Sequence, residues 1–419
     1  MTRKILALML ALCMLLGASA AMAEKLSVNY WDDNFNGNAL RAAAEDYKTN
    51  VDPEFELELV LVSGSSDVEN SMTTAASSGD YSNLTDIVLF QDHYIQRYVA
   101  DYPDAWMDLE DAGINWEDFG AEKLSYSTVG GKHYGVPVDN GTAIMAYRTD
   151  ILEECGSKIE DMKGITWEKF LEVGKEVYAK TGKALLSMDG SGNDLPYMMM
   201  QAEGESQFKD GKAFIAGNEK LTRIIKLICD MVNEHVLILA NDWTGYTNET
   251  IQQDQVAGVF NGNWIIPTMS QVTDNSGKWQ ITTIPTLDGG DGYAANGGSS
   301  LYITANCKNP ELAKKFLAYT FGGSTKTYDE ALRQGGVIGC CLSAAKSEVY
   351  SEGVPFFNGQ AVYSEIVEMG SHVPIVEQND FHYTVRTAIG NAIQSILGGA
   401  DVEAALQEAQ EQIDFAMDV

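Results

Sequence analysis

The sequence predicts an α/β fold divided into two lobes, and three observations support this prediction. Predicted strands alternate with predicted helices in the N-terminal part of the chain, which is the pattern of parallel βαβ units. The chain has 419 residues, which is beyond the length at which a single hydrophobic core keeps growing. No internal repeat, low-complexity tract or long linker interrupts it.

Three strands with helices between them are predicted near the start of the mature chain. Leu26, Val28 and Tyr30 alternate with polar residues, which predicts the first strand. The stretch "ALRAAAEDYKTN" predicts a helix, and "EFELELVL" alternates acidic and apolar residues as a second strand. A helix over "SSDVENSMTTAASSG" and a short apolar strand, "LTDIVLF", follow.

Capping residues mark the helices of the middle and C-terminal regions. In "TWEKFLEVGKEVYAKTG", Thr166 is the predicted N-cap and Gly182 ends the helix. In "NPELAKKFLAYTF", Asn309 is the predicted N-cap and Pro310 suits the first helical position. Further strands are predicted in "VAGVFNGNW", "WQITTIPTL" and "GGSSLYITANC", and final helices in "NDFHYTVRTAIGNAIQSILGG" and "DVEAALQEAQEQIDFAMDV".

The first residues predict a secretory signal peptide. Arg3 and Lys4 precede an apolar run that is too short to span a membrane, and a small-x-small cleavage site ends at Ala23. Cys13 lies inside the apolar run, so no lipoprotein cysteine stands at the cleavage point. We therefore expect residues 1–23 to be removed and the mature chain to reside in the periplasm, in the medium or at the cell surface.

The charge of the chain excludes some classes of partner. The formal net charge is −32, and because the leader carries two basic residues and no acidic one, the mature chain carries −34. Such a chain repels phosphate backbones and anionic lipids, which argues against binding to nucleic acid or to a membrane surface.

The five cysteines of the mature chain show no metal-binding spacing, since C-x-x-C is absent. We expect most of them to be small buried residues, and one disulfide in an exported protein stays open as an alternative. They are Cys155, Cys229, Cys307, Cys340 and Cys341.

Motifs of catalytic and cofactor sites are missing from the sequence. The hydrolase elbow G-x-S-x-G, the P-loop, G-x-G-x-x-G and H-E-x-x-H are all absent. The 5 histidines are not spaced as metal ligands. A carboxylate pair for glycoside hydrolysis can be imagined anywhere among 60 acidic residues, so it carries almost no information. We predict no catalytic residues, no metal and no cofactor.

Aromatic residues occur where predicted strands end, which is where open α/β sheets bind ligands. Trp31 follows the first strand, Trp264 follows "AGVF", and Trp243 and Tyr246 lie in the polar stretch "NDWTGYTNET". A flat indole can stack on the C–H face of a pyranose, and nearby carboxylates and amides can bond its hydroxyls. The other tryptophans are predicted to pack in the core, namely Trp106, Trp116, Trp167 and Trp279.

These considerations give a set of candidate ligand-binding residues, in which Asp32 and Asp33 are alternatives for one position. The set is Trp31, Asp33, Asn34, Asp92, Asp139, Asn140, Tyr197, Trp243, Tyr246, Trp264 and Gly298.

The turn that carries Trp264 is predicted in more detail. Asn261, Gly262 and Asn263 can form a tight turn in which Gly262 is free to adopt positive φ. A helix start near Ile265 would leave backbone N–H groups free for a hydroxyl. The turn would hold the indole of Trp264 at the edge of a cleft.

Several stretches resemble the extracellular sugar-binding proteins of bacterial ABC importers, the maltose-binding-like group, and together they cover nearly the whole chain. The most specific is "VGGKHYGVPVDNGTAIMAYRTDILEECG", with its Gly-Lys-x-Tyr-Gly-x-Pro pattern. In "SSGDYSNLTDIVLFQDHYIQRYVADY", which also resembles the family, Thr85 stands where the family usually has Pro. The others are "KLSVNYWDDN", "SSGDYSNLTDIVLFQDHYIQRYVADY", "VAGVFNGNWIIPTM", "GGSSLYITANCKNPELAKKFLAYTF" and "RQGGVIG".

The resemblance implies a class II periplasmic-binding-protein fold with a ligand cleft between two lobes. The N-terminal lobe would comprise residues 24–137 and 286–340, and the C-terminal lobe residues 138–285 and 341–419. The chain would cross between the lobes near residues 137–142, 284–293 and 335–343.

The resemblance also implies a function. A monomeric receptor would capture a mono- or oligosaccharide, close by hinge motion, and deliver it to the permease subunits of an ABC transporter. The stacking role of the family's tryptophan carries over to Trp264, and hydroxyl binding to Asp139. The missing lipoprotein cysteine departs from the usual Gram-positive pattern. Two alternatives remain: a receptor for a non-sugar ligand such as a polyamine, and a secreted glycan-active enzyme.

Overall fold

A computed structural model describes residues 25–33, 35–189, 193–379 and 381–417. The predicted signal peptide lies outside the described residues. The strands are β1 (Lys25–Tyr30), β2 (Glu56–Leu61), β3 (Ile87–Gln91), β4 (Thr128–Val129), β5 (Lys132–His133), β6 (Gly135–Asp139), β7 (Ala143–Arg148), β8 (Leu186–Met188), β9 (Phe208–Lys209), β10 (Lys212–Ala213), β11 (Leu237–Leu239), β12 (Gly258–Gly262), β13 (Trp279–Thr282) and β14 (Ser299–Ile303).

Helices flank these strands. The α-helices are α1 (Asn36–Asn50), α2 (Ser65–Ser78), α3 (Asp92–Asp101), α4 (Ala121–Ser127), α5 (Thr149–Glu154), α6 (Trp167–Thr181), α7 (Asp194–Ala202), α8 (Glu219–Asn233), α9 (Ile266–Ser270), α10 (Pro310–Tyr319), α11 (Thr325–Gly335), α12 (Glu348–Ser351), α13 (Val362–Ser371), α14 (His382–Leu397) and α15 (Val402–Met417). A π-helical segment covers Gly245–Gln252.

The N-terminal lobe is built on a five-stranded sheet of order β2-β1-β3-β14-β6. Strand β1 pairs in parallel with β2 and β3, as the strand–helix alternation predicted, while β14 is antiparallel to β3 and β6. Apolar side chains such as Leu26, Leu89 and Leu301 are fully buried between the sheet and its helices. Burial of this kind supplies the main driving force for folding of the lobe.

The C-terminal lobe has a smaller sheet and a larger helical share. Its antiparallel sheet has the order β12-β7-β13, and β8 and β11 form a separate parallel pair. A large buried apolar cluster in this lobe joins side chains from α6, α7, α8 and α14, including Trp167, Met198, Ile228 and Ile389. The two lobes therefore have different sheets, while another buried cluster runs from Leu26 and Leu301 of the N-terminal sheet to Ile144, Val259 and Ile281 of the C-terminal sheet.

The chain passes between the sheets along two hydrogen-bonded segments. Strand β6 ends at Asp139 and β7 begins at Ala143, so residues 140–142 make the first crossing. The return from β13 to β14 runs beside it, with Asn296 donating its N–H to Gly141 O at 2.8 Å. Gly141 has φ +57°, and an added Cβ would lie 2.7 Å from Asn296 O, so only glycine fits this crossing.

The predicted strands and helices are present, but some strands are shorter than predicted: "WQITTIPTL" is a strand only over Trp279–Thr282 and "GGSSLYITANC" only over Ser299–Ile303. Thr166 caps α6 by accepting the N–H of Lys169 at 3.1 Å, and Gly182 ends that helix in the left-handed region. Asn309 caps α10 in the same way. The predicted conformation of Gly262 is wrong: its φ is −55°, and Asn261 and Gly262 are the last residues of β12 rather than a turn.

All five cysteines between residues 155 and 341 are buried free thiols. Within the described ranges, no helix combines the length and the apolar character needed to cross a bilayer.

Candidate functional site

A cleft of about 600 Å³ opens between the two lobes, at the carboxyl ends of several strands. Trp31 follows β1, Gln91 ends β3 and Asp139 ends β6, so the N-terminal lobe contributes these strand ends. The C-terminal lobe contributes side chains from loops and from α9 and α14. The lining residues are Trp31, Asp32, Phe35, Asn36, Gln91, Asp139, Asp189, Asp194, Trp243, Trp264, Pro267, Thr268, Asn296, Gly297, Gly298, Ser299, Gly335, Tyr383 and Arg386.

Trp264 is held in the cleft wall by two backbone features. Its indole N–H donates to the carbonyl oxygen of Asn296 at 2.8 Å. Its ring lies directly against Gly262, where an added Cβ would collide with the indole nitrogen. The glycine is therefore required for the close approach of the indole and not for positive φ. These two contacts fix the orientation of the indole. The sequence predicted a fixed indole as well, but attributed it to a tight turn at Gly262.

Trp243 extends the aromatic wall beyond Trp264. The two indole centroids lie 5.5 Å apart with their planes tilted by 44°. Tyr246 packs edge-on against Trp243 at 5.3 Å, and its hydroxyl accepts a hydrogen bond from Asn261 at 3.2 Å. Tyr246 is fully buried, so it supports the wall from behind and does not line the cleft.

Six sequence-predicted positions are brought together in the cleft lining, counting Asp32 in place of Asp33. They are Trp31, Asp32, Asp139, Trp243, Trp264 and Gly298. Asp33 points elsewhere: it pairs with Arg41 and accepts the Tyr30 hydroxyl at 2.7 Å. Asn34 lies outside the described residues.

Asp92 is placed beneath the cleft and not in its lining. It is buried and forms an ion pair with the equally buried Lys123, and it accepts the hydroxyl of Ser300 at 3.1 Å. Burial raises the pKa of Asp92 to about 6, although the Lys123 ammonium acts in the opposite direction. Gly298 has φ +97°, and an added Cβ there would collide with the Asp92 carboxylate.

Asp139 and Asn140 lie at the first crossing, and of the two Asp139 lines the cleft. Asp139 accepts the hydroxyl of Ser299, and burial raises its pKa. Asn140 is buried and donates to Thr142 Oγ1 at 2.8 Å, so it belongs to the crossing and is absent from the lining.

Arg386 is a cleft residue that the sequence analysis missed. It is 2% exposed, forms an ion pair with Asp194, and lies over the rings of Tyr197 and Tyr383 at 5.0 Å from each centroid. It also approaches Asn296 Oδ1 at 3.3 Å. Burial lowers its pKa to about 10, which leaves it charged at neutral pH. The available signal was a lone arginine between the apolar positions of "TVRTAI".

Tyr197 belongs to a second set of contacts between the lobes, which we call the interlobe cluster and define as His93, Glu122, Tyr126, Tyr197, Gln201 and His382. His93 and His382 stack with centroids 4.3 Å apart and planes 13° apart. His93 Nε2 lies 3.0 Å from the Tyr197 hydroxyl.

The acidic end of the interlobe cluster is equally buried. Tyr126 donates its hydroxyl to Glu122 Oε1 at 2.6 Å, and Gln201 donates to the same oxygen at 3.2 Å. Burial raises the pKa of Glu122 to about 7. Because Glu122 is on α4 and Gln201 is on α7, this contact joins the two lobes directly.

The imidazoles of the interlobe cluster are held neutral. Burial lowers the pKa of His382 to about 3. Burial is the main cause that holds the pKa of His93 well below its usual range. The neighbouring His382 and Arg386 act in the same direction. Arg386 donates towards His382 Nε2 at 3.3 Å, so that nitrogen must carry a lone pair.

Two discontinuous α/β lobes with a cleft between them and aromatic residues in its walls define an extracytoplasmic solute receptor. The chain belongs to the bacterial extracellular solute-binding protein family, whose profile matches residues 42–358. It is 34% identical over 403 residues to a lactose-binding protein of Rhizobium radiobacter, covering 95% of this chain and 94% of that protein.

Solved structures confirm the fold. The sugar-binding protein MalE of Xanthomonas citri matches with a TM-score of 0.76 at 16% identity, covering 93% of this chain and 96% of that one. A binding protein of B. animalis subsp. lactis, in complex with β-1,6-galactobiose, matches with a TM-score of 0.73 at 20% identity, covering 94% and 98%. The predicted two-lobe α/β fold is therefore right.

Proposed function

We propose that this protein captures a carbohydrate in the interlobe cleft and delivers it to the permease of an ABC transporter. The observation that carries the proposal is the lining of the cleft, which combines three indoles with carboxylate, amide and hydroxyl groups. Indole faces bind the C–H faces of a sugar ring, and the polar groups bind its hydroxyls. The similarity to a lactose-binding protein supports the same ligand class.

Hinge closure gives the binding step its mechanism. Trp31 and Asp139 come from the N-terminal lobe, while Trp243, Trp264 and Arg386 come from the C-terminal lobe. A sugar that contacts both sets shifts the equilibrium towards the closed form, because only that form makes all the contacts. The two hydrogen-bonded crossings are the proposed hinge, and the first lobe boundary is placed at the end of β6, at Asp139, two residues beyond the position predicted from the sequence.

Export and a receptor role complete the proposal. The signal peptide would be cleaved near Ala23, and the mature monomer would meet the permease outside the cytoplasm. We propose that no chemical step follows binding, so incubation with a bound glycan should leave the glycan intact. Release of a smaller sugar, detected by chromatography, would instead support a glycan-active enzyme.

A polyamine is the second candidate ligand, because four carboxylates line the cleft: Asp32, Asp139, Asp189 and Asp194. These carboxylates already have partners in the protein: Asp32 accepts the backbone N–H of Phe35 at 2.9 Å, Asp139 accepts the Ser299 hydroxyl, and Asp194 pairs with Arg386. The buried guanidinium in the same wall also repels an ammonium group. These contacts favour a neutral polyhydroxyl ligand.

A thermal-shift screen tests the proposal directly, because a ligand that binds only the folded state raises its melting temperature. The mature protein would be screened with mono- and oligosaccharides, with spermidine and with putrescine. We expect stabilisation by a sugar and none by the polyamines. Stabilisation by a polyamine alone would replace the carbohydrate proposal with the second candidate.

A further inference from the structure

The cleft has a polar inner end and an aromatic outer end, and the two differ strongly in exposure. Asp139, Asn296, Ser299 and Arg386 are all buried, with Asp139 only 4% exposed. Trp243 also lines the cleft but is 45% exposed. A ligand that fills the cleft therefore meets hydrogen-bonding groups at its inner end and an indole face at its outer end.

Trp243 is a fixed platform even though it is exposed. Tyr246 packs against it from the protein side, and Tyr246 is itself fully buried and hydrogen-bonded to Asn261. Trp243 continues the indole of Trp264 as a contiguous apolar surface in a groove, and contiguous exposed apolar surfaces of this kind mark binding sites. The fixed orientation means that a ligand loses little affinity to ordering this side chain.

The two indoles offer neighbouring apolar surfaces to a ligand. Trp243 and Trp264 both line the cleft, with 5.5 Å between centroids and 44° between planes. A ligand with two linked rings can place one ring against each indole. The cleft volume of about 600 Å³ lies within the roughly 300–1,000 Å³ that is typical of small-molecule sites.

The wall near Trp243 includes Pro267 and Gly335, which have no hydrogen-bonding side chain. Helix α9 packs against the π-helical segment that follows Trp243, and it brings Pro267 and Thr268 to this part of the lining. Gly335 lines the same cleft, and Pro267 contacts Gly336. Stacking on an indole uses the apolar face of a ring and makes no hydrogen bond to a particular hydroxyl.

We propose that the cleft binds two linked sugar rings and reads them unequally, the inner ring by buried hydrogen-bonding groups and the outer ring by stacking on Trp243. This inference rests on the proposed carbohydrate function and goes beyond it by assigning the length of the ligand and the ring that sets specificity. Trp243 is then a determinant of ligand length, and Asp139, Asn296 and Arg386 are determinants of ring identity.

Calorimetry with defined sugars tests the ligand length. The probes are glucose, galactose, lactose, cellobiose and maltose, with each disaccharide compared with its component monosaccharides. We expect the best disaccharide to bind at least about tenfold more tightly than either component, a difference of about 1.4 kcal/mol. A monosaccharide that binds as tightly as the best disaccharide would overturn this inference while leaving the carbohydrate function intact.

The Trp243→Ala variant tests the outer subsite. It should weaken the best disaccharide about tenfold and leave its monosaccharide components within about twofold, because only the outer ring loses its platform. Trp243→Phe should retain most of the affinity. The matched control is Tyr178→Ala, an exposed aromatic residue that packs on His235 away from the cleft and should change neither affinity. Equal weakening of mono- and disaccharides would refute the outer subsite.

Epimers of the best disaccharide test the unequal reading of its two rings. Inverting one hydroxyl at a time should cost more than about tenfold on one ring and less than about threefold on the other. Trp243→Ala should remove the contribution of the tolerant ring. Equal sensitivity of both rings would overturn the proposed division, and absence of binding by every sugar would overturn the carbohydrate function itself.

Discussion

The ligand cleft and the interlobe cluster lie side by side between the same two lobes, yet they are built for different contacts. The cleft leaves indole faces and polar groups open to a ligand, whereas the cluster closes protein on protein through stacked imidazoles and buried hydroxyls. Arg386 belongs to the cleft lining and donates to His382 of the cluster, so the two regions share a boundary.

In the proposed hinge closure, the two regions contribute differently to the free energy of closing. Contacts within the interlobe cluster form whenever the lobes meet, with or without a ligand, and set how readily the protein closes. Contacts in the cleft form only when a ligand is present and set which ligand is retained. Substitutions in the cluster should therefore change the affinity for all ligands together, and those in the cleft should discriminate among ligands.

The largest expected effect comes from replacing Arg386, the residue that contacts both the cleft and the interlobe cluster. Arg386→Leu leaves the Asp194 carboxylate without its buried partner and removes a hydrogen bond to His382. Breaking a buried ion pair costs about 3–5 kcal/mol of stability. Urea unfolding monitored by fluorescence would measure the loss, and sugar binding should disappear with it. A loss below about 1 kcal/mol would mean that the pair does not hold the site.

The control for Arg386 is an exposed arginine with comparable partners. Arg223 contacts Glu168 at 2.6 Å and Asp288 at 3.0 Å, with its side chain 43% exposed. Exposed ion pairs contribute about 0–1 kcal/mol. Arg223→Ala should therefore change neither ligand affinity nor the unfolding free energy by more than about 1 kcal/mol.

The next effect is confined to the cleft. Trp264→Ala removes a stacking face and should weaken sugar binding by roughly 1.5–3 kcal/mol, the worth of burying a large side chain. Titration calorimetry at pH 7.5 would measure it. Unchanged affinity would exclude the indole from the binding site. Because Trp264 touches no member of the interlobe cluster in the described contacts, the pH dependence of binding should stay as in the wild type.

The sequence located the cleft through residues that follow strand ends. Trp31 directly follows β1, Asp139 is the last residue of β6, and Trp264 lies two residues after β12. Open α/β folds bind ligands at the carboxyl ends of their strands. Local pattern was sufficient for these residues because their position in the chain determines their position in the cleft.

The remaining site residues depend on partners that are distant in sequence. Asp92 and Tyr197 looked like rim residues, but Lys123 and His93 bury them, and those pairs are separated by 31 and 104 positions. Arg386 occupies the middle of a helix with no loop signal. A polar side chain can be predicted to contact solvent only if no other element of the fold supplies a buried partner for it. Whether such a partner exists is known only from the tertiary structure.

A pH effect should separate the interlobe cluster from the cleft. Opening the lobes exposes His93 and His382, so their pKa values would rise towards 6.5. The open form then takes up protons below pH 6.5 that the closed form refuses, and ligand affinity falls as pH falls. Glu122 opposes this, because its pKa of about 7 in the closed form favours closure as pH falls towards 4.5.

Other charged groups near the histidines keep their partners within one lobe. Asp92 and Lys123 remain paired in the N-terminal lobe, and Asp194 and Arg386 in the C-terminal lobe. When the lobes open, the two histidines each take up one proton and Glu122 releases one, so opening takes up one proton in net. Ligand affinity should therefore fall about tenfold per pH unit between pH 6 and pH 5. Calorimetry across this range would measure it, and His382→Gln should reduce the slope. A flat profile would show that the cluster stays closed in the unliganded protein.

The smallest expected effect comes from Glu122→Gln, which sharpens the same comparison. The amide oxygen can still accept the Tyr126 hydroxyl, and near pH 7 the glutamate already carries a proton about half of the time, so affinity at pH 7 should change by less than about threefold. Below pH 6 the variant lacks the group that opposes the histidines, because an amide binds no proton as the lobes close. Its affinity should therefore fall more steeply with acid than that of the wild type, and the difference in slope should approach one proton in calorimetric titrations between pH 6.5 and pH 5. An unchanged slope would mean that Glu122 keeps the same pKa when the lobes separate, which would confine the pH response of closure to the two stacked histidines.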